Sequence, residues 1–133
     1  PRGPVHAMSL DRRILIADDD LEIRQGVADL LSGLGLQILE AETGDEALAI
    51  VRRGNIQLAL LDNQMPGHTG LEILQVIRQE ILRVPCIVCS GDSFESLDRM
   101  ARAAGALAVL KKPVEPLILR TEVVRALGLS NGH

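Results

Sequence analysis

Aromatic side chains are almost missing from this chain: Phe94 is the only one, with no Trp and no Tyr. Aliphatic residues and alanine must therefore build the core. The same scarcity argues against modules that stack single-stranded bases on aromatic rings. Basic residues are also in deficit, with 14 Lys and Arg against 18 Asp and Glu and a formal net charge of −4. Such a chain has no general affinity for nucleic-acid phosphates, and direct nucleic-acid binding is not expected. No apolar run approaches the length of a membrane span and no signal-peptide pattern opens the chain, so a cytoplasmic location without membrane contact is expected. Cysteine is limited to Cys86 and Cys89, whose spacing could suit redox chemistry or half a metal site. Their surroundings, from Pro85 to Ser90, read instead as a buried strand. Residues three apart on a strand face opposite ways and cannot readily pair. Both are expected to be structural.

What the chain does have is enough apolar material for one core. Its 133 residues are 47% hydrophobic and 24% charged, which suits a single folded domain. Residues 1–7 read as a vector or tag remnant ahead of Met8, residues 8–129 as the domain, and residues 130–133 as a loose end.

Two patterns alternate along the domain. Short β-branched and aliphatic runs occupy Arg13–Ala17, Leu36–Ala41, Ile56–Leu61, Val84–Cys89 and Ala106–Leu110. Stretches with helical spacing follow each. The first places Ile23, Val27, Leu30, Leu31 and Leu34 on one face, with Asp19 or Asp20 as N-cap and Gly35 as a stop. The second runs from Thr43 or Gly44 to Arg53 and closes at Gly54. The third carries Leu71, Leu74, Ile77 and Ile81. The fourth begins near Ser93, carries Leu97, Met100, Ala101 and Ala104, and closes at Gly105. The last opens after Pro113 and carries Leu117, Val124 and Leu127. Near-continuous apolar strands suit a parallel sheet covered on both faces. The expected fold is thus α/β, a doubly wound (βα)5 domain of the flavodoxin-like kind, with strand order 2-1-3-4-5 and helices on both faces.

In such sheets ligands bind beyond the carboxyl ends of the strands. Asp18, Asp19 and Asp20 follow the first strand, Asp62 the third, Ser90 and Gly91 the fourth, and Lys111, Lys112 and Pro113 the fifth. If strands one, three, four and five are neighbours, carboxylates, a hydroxyl and an ammonium converge on one rim. Clustered carboxylates repel and raise each other's pKa. A hard divalent cation relieves this, and oxygen ligands with several waters suit Mg²⁺ (or Mn²⁺).

These runs, from Ile14 to Asp20, from Leu60 to Gly67, and Lys112 with Pro113, resemble the receiver domains of bacterial response regulators. The resemblance covers about Asp11 to Leu129. It implies that Asp62 is the phosphoacceptor, a carboxylate nucleophile attacking the phosphohistidine of a sensor histidine kinase or phosphotransfer protein. It implies that Asp19, Asp62 and the backbone carbonyl of Gln64 hold Mg²⁺, with Asp18 on a metal-bound water. Lys112 would pair with Asp62 and then with a phosphoryl oxygen, and Ser90 would donate to the phosphoryl group. Catalysis would be positioning and charge neutralisation. The domain would signal by conformational change and act as no enzyme beyond its own phosphorylation and dephosphorylation. A cis Lys112–Pro113 peptide is implied too, as is a face of fourth helix, fifth strand and fifth helix used for docking or homodimerisation.

Two departures stand out. The family's usual Tyr or Phe, three residues before the lysine, is Val109 here, so the usual ring rotation cannot occur as such. Gln64 and Asp92 stand where the family tunes hydrolysis. His68 reads as a solvated loop residue, Lys111 with Lys112 is too small for a nucleic-acid patch, and the stretch from Gly67 to Gly70 lacks the length and lysine of a P-loop. Two rivals remain. Asp18 and Asp20 resemble the nucleophile motif of haloacid-dehalogenase-type Mg²⁺ phosphatases, although Glu22 is out of place and no later acidic pair follows Lys112. A pseudo-receiver serving only interaction would have lost Asp62, an acidic residue or Lys112, and all are present.

Overall fold

A computed structural model describes residues 12–91 and 94–129. Residues 1–11 (which include the expected tag remnant), Asp92, Ser93 and residues 130–133 lie outside the described part. The elements run β1 (Arg12–Ala17), α1 (Leu21–Leu30), β2 (Leu36–Ala41), α2 (Gly44–Arg53), β3 (Leu58–Asp62), α3 (Gly70–Gln79), β4 (Cys86–Ser90), α4 (Phe94–Ala103), β5 (Ala108–Lys111) and α5 (Pro116–Leu127). All strand pairs are parallel, in the order β2-β1-β3-β4-β5. The expected flavodoxin-like doubly wound fold is therefore the observed one.

Strand alternation sorts side chains into two cores. Leu15, Ala59, Leu61, Cys86, Val88 and Val109 face α2, α3 and α4. Ile14, Ile16, Leu58, Leu60 and Ile87 face α1 and α5. A fully buried Leu or Ile of this kind contributes about 1.5–3 kcal/mol. Helix starts follow local chemistry. Thr43 caps α2 through the Glu46 amide, and Thr69 and Glu72 form a reciprocal capping box at α3. Pro116 opens α5, and Gly128 in the left-handed region closes it. No helix among the described residues is long and apolar enough to cross a membrane.

Several expectations need correction. Ladders begin later than the apolar runs: β3 starts at Leu58 rather than Ile56, β4 at Cys86 rather than Val84, and β5 at Ala108 rather than Ala106. Ile56 is nonetheless buried, because it packs on the core before the ladder begins. Ile23, Met100 and Leu117, assigned to buried helix faces, are exposed. These residues sit on α1, α4 and α5, which carry more apolar positions than one stripe against the sheet can bury.

Ile81 is the largest miss. It lies beyond the end of α3, is 81% exposed, and has φ of +56°. The turn places the Ile81 amide on the Arg78 carbonyl and the Leu82 amide on the Ile77 carbonyl, which forces the left-handed conformation. A β-branched residue is strained there. Ile81→Gly should stabilise the domain by about 0.5–1 kcal/mol, since strain relief exceeds the added chain entropy and no buried contact is lost. Urea unfolding checks this, and a variant no more stable than the parent would show an unstrained turn.

Candidate functional site

The three consecutive aspartates after β1 do three different things. Asp18 is buried and its Oδ1 accepts the Asp20 amide at 2.9 Å. Asp19 is exposed. Asp20 is the N-cap of α1, accepting the amides of Glu22 and Ile23 at 2.9 and 3.4 Å. That employment removes Asp20 from the role a phosphatase motif would need.

Asp62 closes β3, and its backbone is fixed in register opposite Cys89 of β4. Its carboxylate is only 4% exposed. Lys112 Nζ stands 2.9 Å from Asp62 Oδ1 and 3.5 Å from Asp18 Oδ2. The Lys112 amide donates to the Ser90 carbonyl, and the Lys112–Pro113 peptide is cis. Ser90 ends β4 and is buried, at the same rim. Gln64 is exposed, and its amide donates to Asp62 Oδ1 at 3.3 Å. One oxygen each from Asp18, Asp19 and Asp62 lie within 4.8 Å of one another. Three hard carboxylate donors so close fit one divalent cation with oxygen preference.

Charge explains why this cluster is poised. Burial pushes the Asp18 carboxyl above its ordinary value, the Asp20 amide pulls it back, and the nearby Asp62 charge raises it again. For Lys112, burial works against the ammonium, yet the hydrogen bond and charge of Asp62, with help from Asp18, raise its pKa overall. The ammonium is thus held charged between two buried acids.

The loop that carries Gln64 is pinned at three places. Met65 is buried in the core on the α2–α4 side. The Gly44 amide donates to the Pro66 carbonyl at 2.9 Å, and a Cβ at Gly44 would collide with the His68 backbone. Only glycine fits there. His68 is partly exposed, as expected of a solvated loop residue, and also contacts Asp45 through Nδ1 at 2.7 Å. Its partner comes from the start of another helix, so neighbouring sequence gave no sign of it.

Cys86 packs in the α2–α4 core, whereas Cys89 lines the opposite side of the sheet with Ile16 and Leu60. Both are free, and burial pushes both thiols up to about 12, so neither is a nucleophile. Val109 is buried beneath α4 with Leu97 and Ala101. The lone aromatic, Phe94, opens α4 with Lys111 Nζ 5.9 Å from its ring centre.

Sequence reading missed Arg24. It is 7% exposed, with its guanidinium behind the aspartate loop, donating to the Asp18 carbonyl at 2.6 Å and to Glu40 Oε1 at 2.8 Å. A signal existed: Arg24, Val27 and Leu31 share one helical stripe, so the arginine had to enter the protein interior.

The family model for the response regulator receiver domain matches residues 14–124. The chain belongs to this family. It is 28% identical over 90% of its length to the chemotaxis protein CheY of Pseudomonas aeruginosa, of which it spans 99%. It is 32% identical over 90% of its length to the CAI-1 autoinducer sensor kinase/phosphatase CqsS of Vibrio cholerae. There it spans 18% of the relative, and it spans 43% and 56% of two other curated relatives, so the match is to one portion of longer proteins. The solved receiver domain of NtrX from Brucella abortus is 31% identical, with a TM-score of 0.77 over 88% of this chain and 99% of that one. This chain is thus a receiver domain of two-component signalling systems, a signalling module.

Proposed function

We propose that this receiver domain takes a phosphoryl group from the phosphohistidine of a sensor histidine kinase or phosphotransfer protein onto Asp62. The supporting observation is the Asp62 carboxylate, nearly buried at a strand end, 2.9 Å from Lys112 and within 4.8 Å of the Asp18 and Asp19 oxygens. An Asp62 oxygen attacks phosphorus, the phosphorus–nitrogen bond breaks, and its electron pair leaves with the imidazole. The product is an acyl phosphate.

Asp18, Asp19, Asp62 and the Gln64 carbonyl are proposed to hold Mg²⁺ (or Mn²⁺). When bound, the ion offsets negative charge on the carboxylates and the incoming phosphoryl oxygens. Lys112 moves from the Asp62 carboxylate to a phosphoryl oxygen. Ser90 donates its hydroxyl to another. Both are charge stabilisation, worth most where water is excluded. Gln64 and Asp92 are proposed to set the phosphate lifetime.

A cavity of about 920 Å³ supports the partner side. Asp62 and Lys112 line it together with Ile23 and Val27 of α1 and Pro113 and Pro116 before and at α5. A partner delivering phosphohistidine would approach over this apolar rim. The face of α4, β5 and α5, with Met100 and Leu107 half exposed, is proposed for output or homodimerisation. Val109 is too stiff and small for a ring switch there. Signalling would instead repack the start of α4.

Incubation with acetyl phosphate and Mg²⁺, read by intact mass, tests the central reading. One phosphoryl adduct is expected, and none when Mg²⁺ is removed by chelation. A parent chain that gains no phosphoryl group with Mg²⁺ present would point to the pseudo-receiver reading.

A further inference from the structure

The acidic loop after β1 must hold buried Asp18 and exposed Asp19 in a fixed relation while like charges push them apart. Something has to resist that push. Asp20 fixes the loop's far end by capping α1. The near end is fixed by Arg24, one turn into α1. Helical side chains lean back toward the N-terminus, so Arg24 reaches under the loop. Its NH1 donates to the Asp18 carbonyl at 2.6 Å and its Nε to Glu40 Oε1 at 2.8 Å, while NH2 lies 3.8 Å from Glu42 Oε2. Arg24 therefore ties the metal loop to the end of β2 and the residue after it.

A buried guanidinium next to a cation site raises an objection. By itself its positive charge would repel the cation that the carboxylates attract. Here Glu40 and Glu42 lie against it on the side away from Asp18, so its charge is offset locally. What remains is a rigid donor fork with no net positive charge left to oppose a cation. Lysine could supply the charge but not a planar guanidinium whose Nε and NH1 reach partners on two different edges.

We infer that Arg24 is a positioning residue of the metal site, setting the Asp18–Asp19 backbone so that their carboxylates converge with Asp62, with Glu40 and Glu42 neutralising it. This rests on the metal-assisted reading above. Outer residues that orient metal ligands typically alter affinity by about 10–100-fold.

The test is titration calorimetry with Mg²⁺ alone on Arg24→Met, Arg24→Lys and Glu40→Gln, each beside its melting temperature. Arg24→Met and Arg24→Lys should weaken Mg²⁺ binding roughly tenfold or more. Glu40→Gln should weaken it too, because Arg24 then has only Glu42 to offset its charge and loses an anchor. Uptake from acetyl phosphate should need more Mg²⁺ in each, while the rate at saturating Mg²⁺ returns close to the parent's. If Arg24→Met does not fold, the other two variants decide. Unchanged Mg²⁺ affinity in every folded variant, with only melting temperature lowered, would reduce Arg24 to a packing role. A parent chain that binds no Mg²⁺ overturns the metal site itself, and this inference with it.

Discussion

Asp62→Asn is expected to end phosphoryl uptake from acetyl phosphate altogether, with no adduct by intact mass at Mg²⁺ concentrations that label the parent fully. The amide keeps the shape of the side chain but is a far poorer nucleophile. It also removes one of the converging carboxylates, so Mg²⁺ affinity should fall as well. Fold should survive, because one negative charge leaves a site where burial already pushes Asp18 above its ordinary value. The decisive detail is where any residual label sits. A variant labelled at the parent's rate, with the phosphoryl group mapped to Asp18 or Asp20, would return the phosphatase-like chemistry to consideration. The capping role of Asp20 argues against that outcome.

Lys112→Met should produce three effects of different sign. Without metal, the domain loses the ammonium that stands 2.9 Å from Asp62 and 3.5 Å from Asp18. Removing one partner of a buried pair typically destabilises by about 3–5 kcal/mol, and partial exposure of Lys112 reduces this to roughly 2–3 kcal/mol. In a domain this small that is a fall of roughly 8–15 °C in melting temperature. Mg²⁺ should bind more tightly than in the parent, since a positive charge has left its neighbourhood. Metal should accordingly restore more stability to the variant than it adds to the parent. The phosphorylation rate at saturating Mg²⁺ should still drop about 10²–10³-fold, the usual effect of removing one donor from developing charge. Melting curves with and without Mg²⁺, beside a mass-based time course, separate all three. Weaker Mg²⁺ binding in Lys112→Met would show that the lysine organises the carboxylates rather than competing with the ion.

The raised Lys112 pKa fixes the pH window of that pair. The folded value lies above the ordinary 10.5, so the pair's contribution is fully present below 10.5 and is lost as pH rises through the folded value. Asp18 works the other way. Its folded value lies above 3.8, so the ionised group opposes folding at neutral pH, and that opposition fades as pH falls through the folded value.

The sequence by itself determined the order of strands and helices, because a change of hydrophobic period is a local property of the chain. It narrowed the first helix start to Asp19 or Asp20 and the second to Thr43 or Gly44, since a cap bonds amides two or three residues away, while the Thr69 cap of α3 emerged only in the structure. It also pointed to Asp18, Asp19, Asp62, Ser90 and Lys112, because doubly wound sheets collect ligands at strand ends. Tertiary structure decided what depends on residues far apart in sequence. Lys112 and Asp18 are 94 positions apart, and only the parallel pairing of β1, β3, β4 and β5 makes them neighbours. The same holds for His68 with Asp45 and for Gly44 against the His68 backbone. Exposure at Met100 and Leu117 was decided by how much helix surface the sheet can cover, and exposure at Ile81 by the turn that ends α3, not by periodicity. Arg24 belongs to both levels. Its place on the buried stripe of α1 was legible, but only the fold brought Glu40 and the Asp18 carbonyl to meet its charge, which is what makes burying it tolerable.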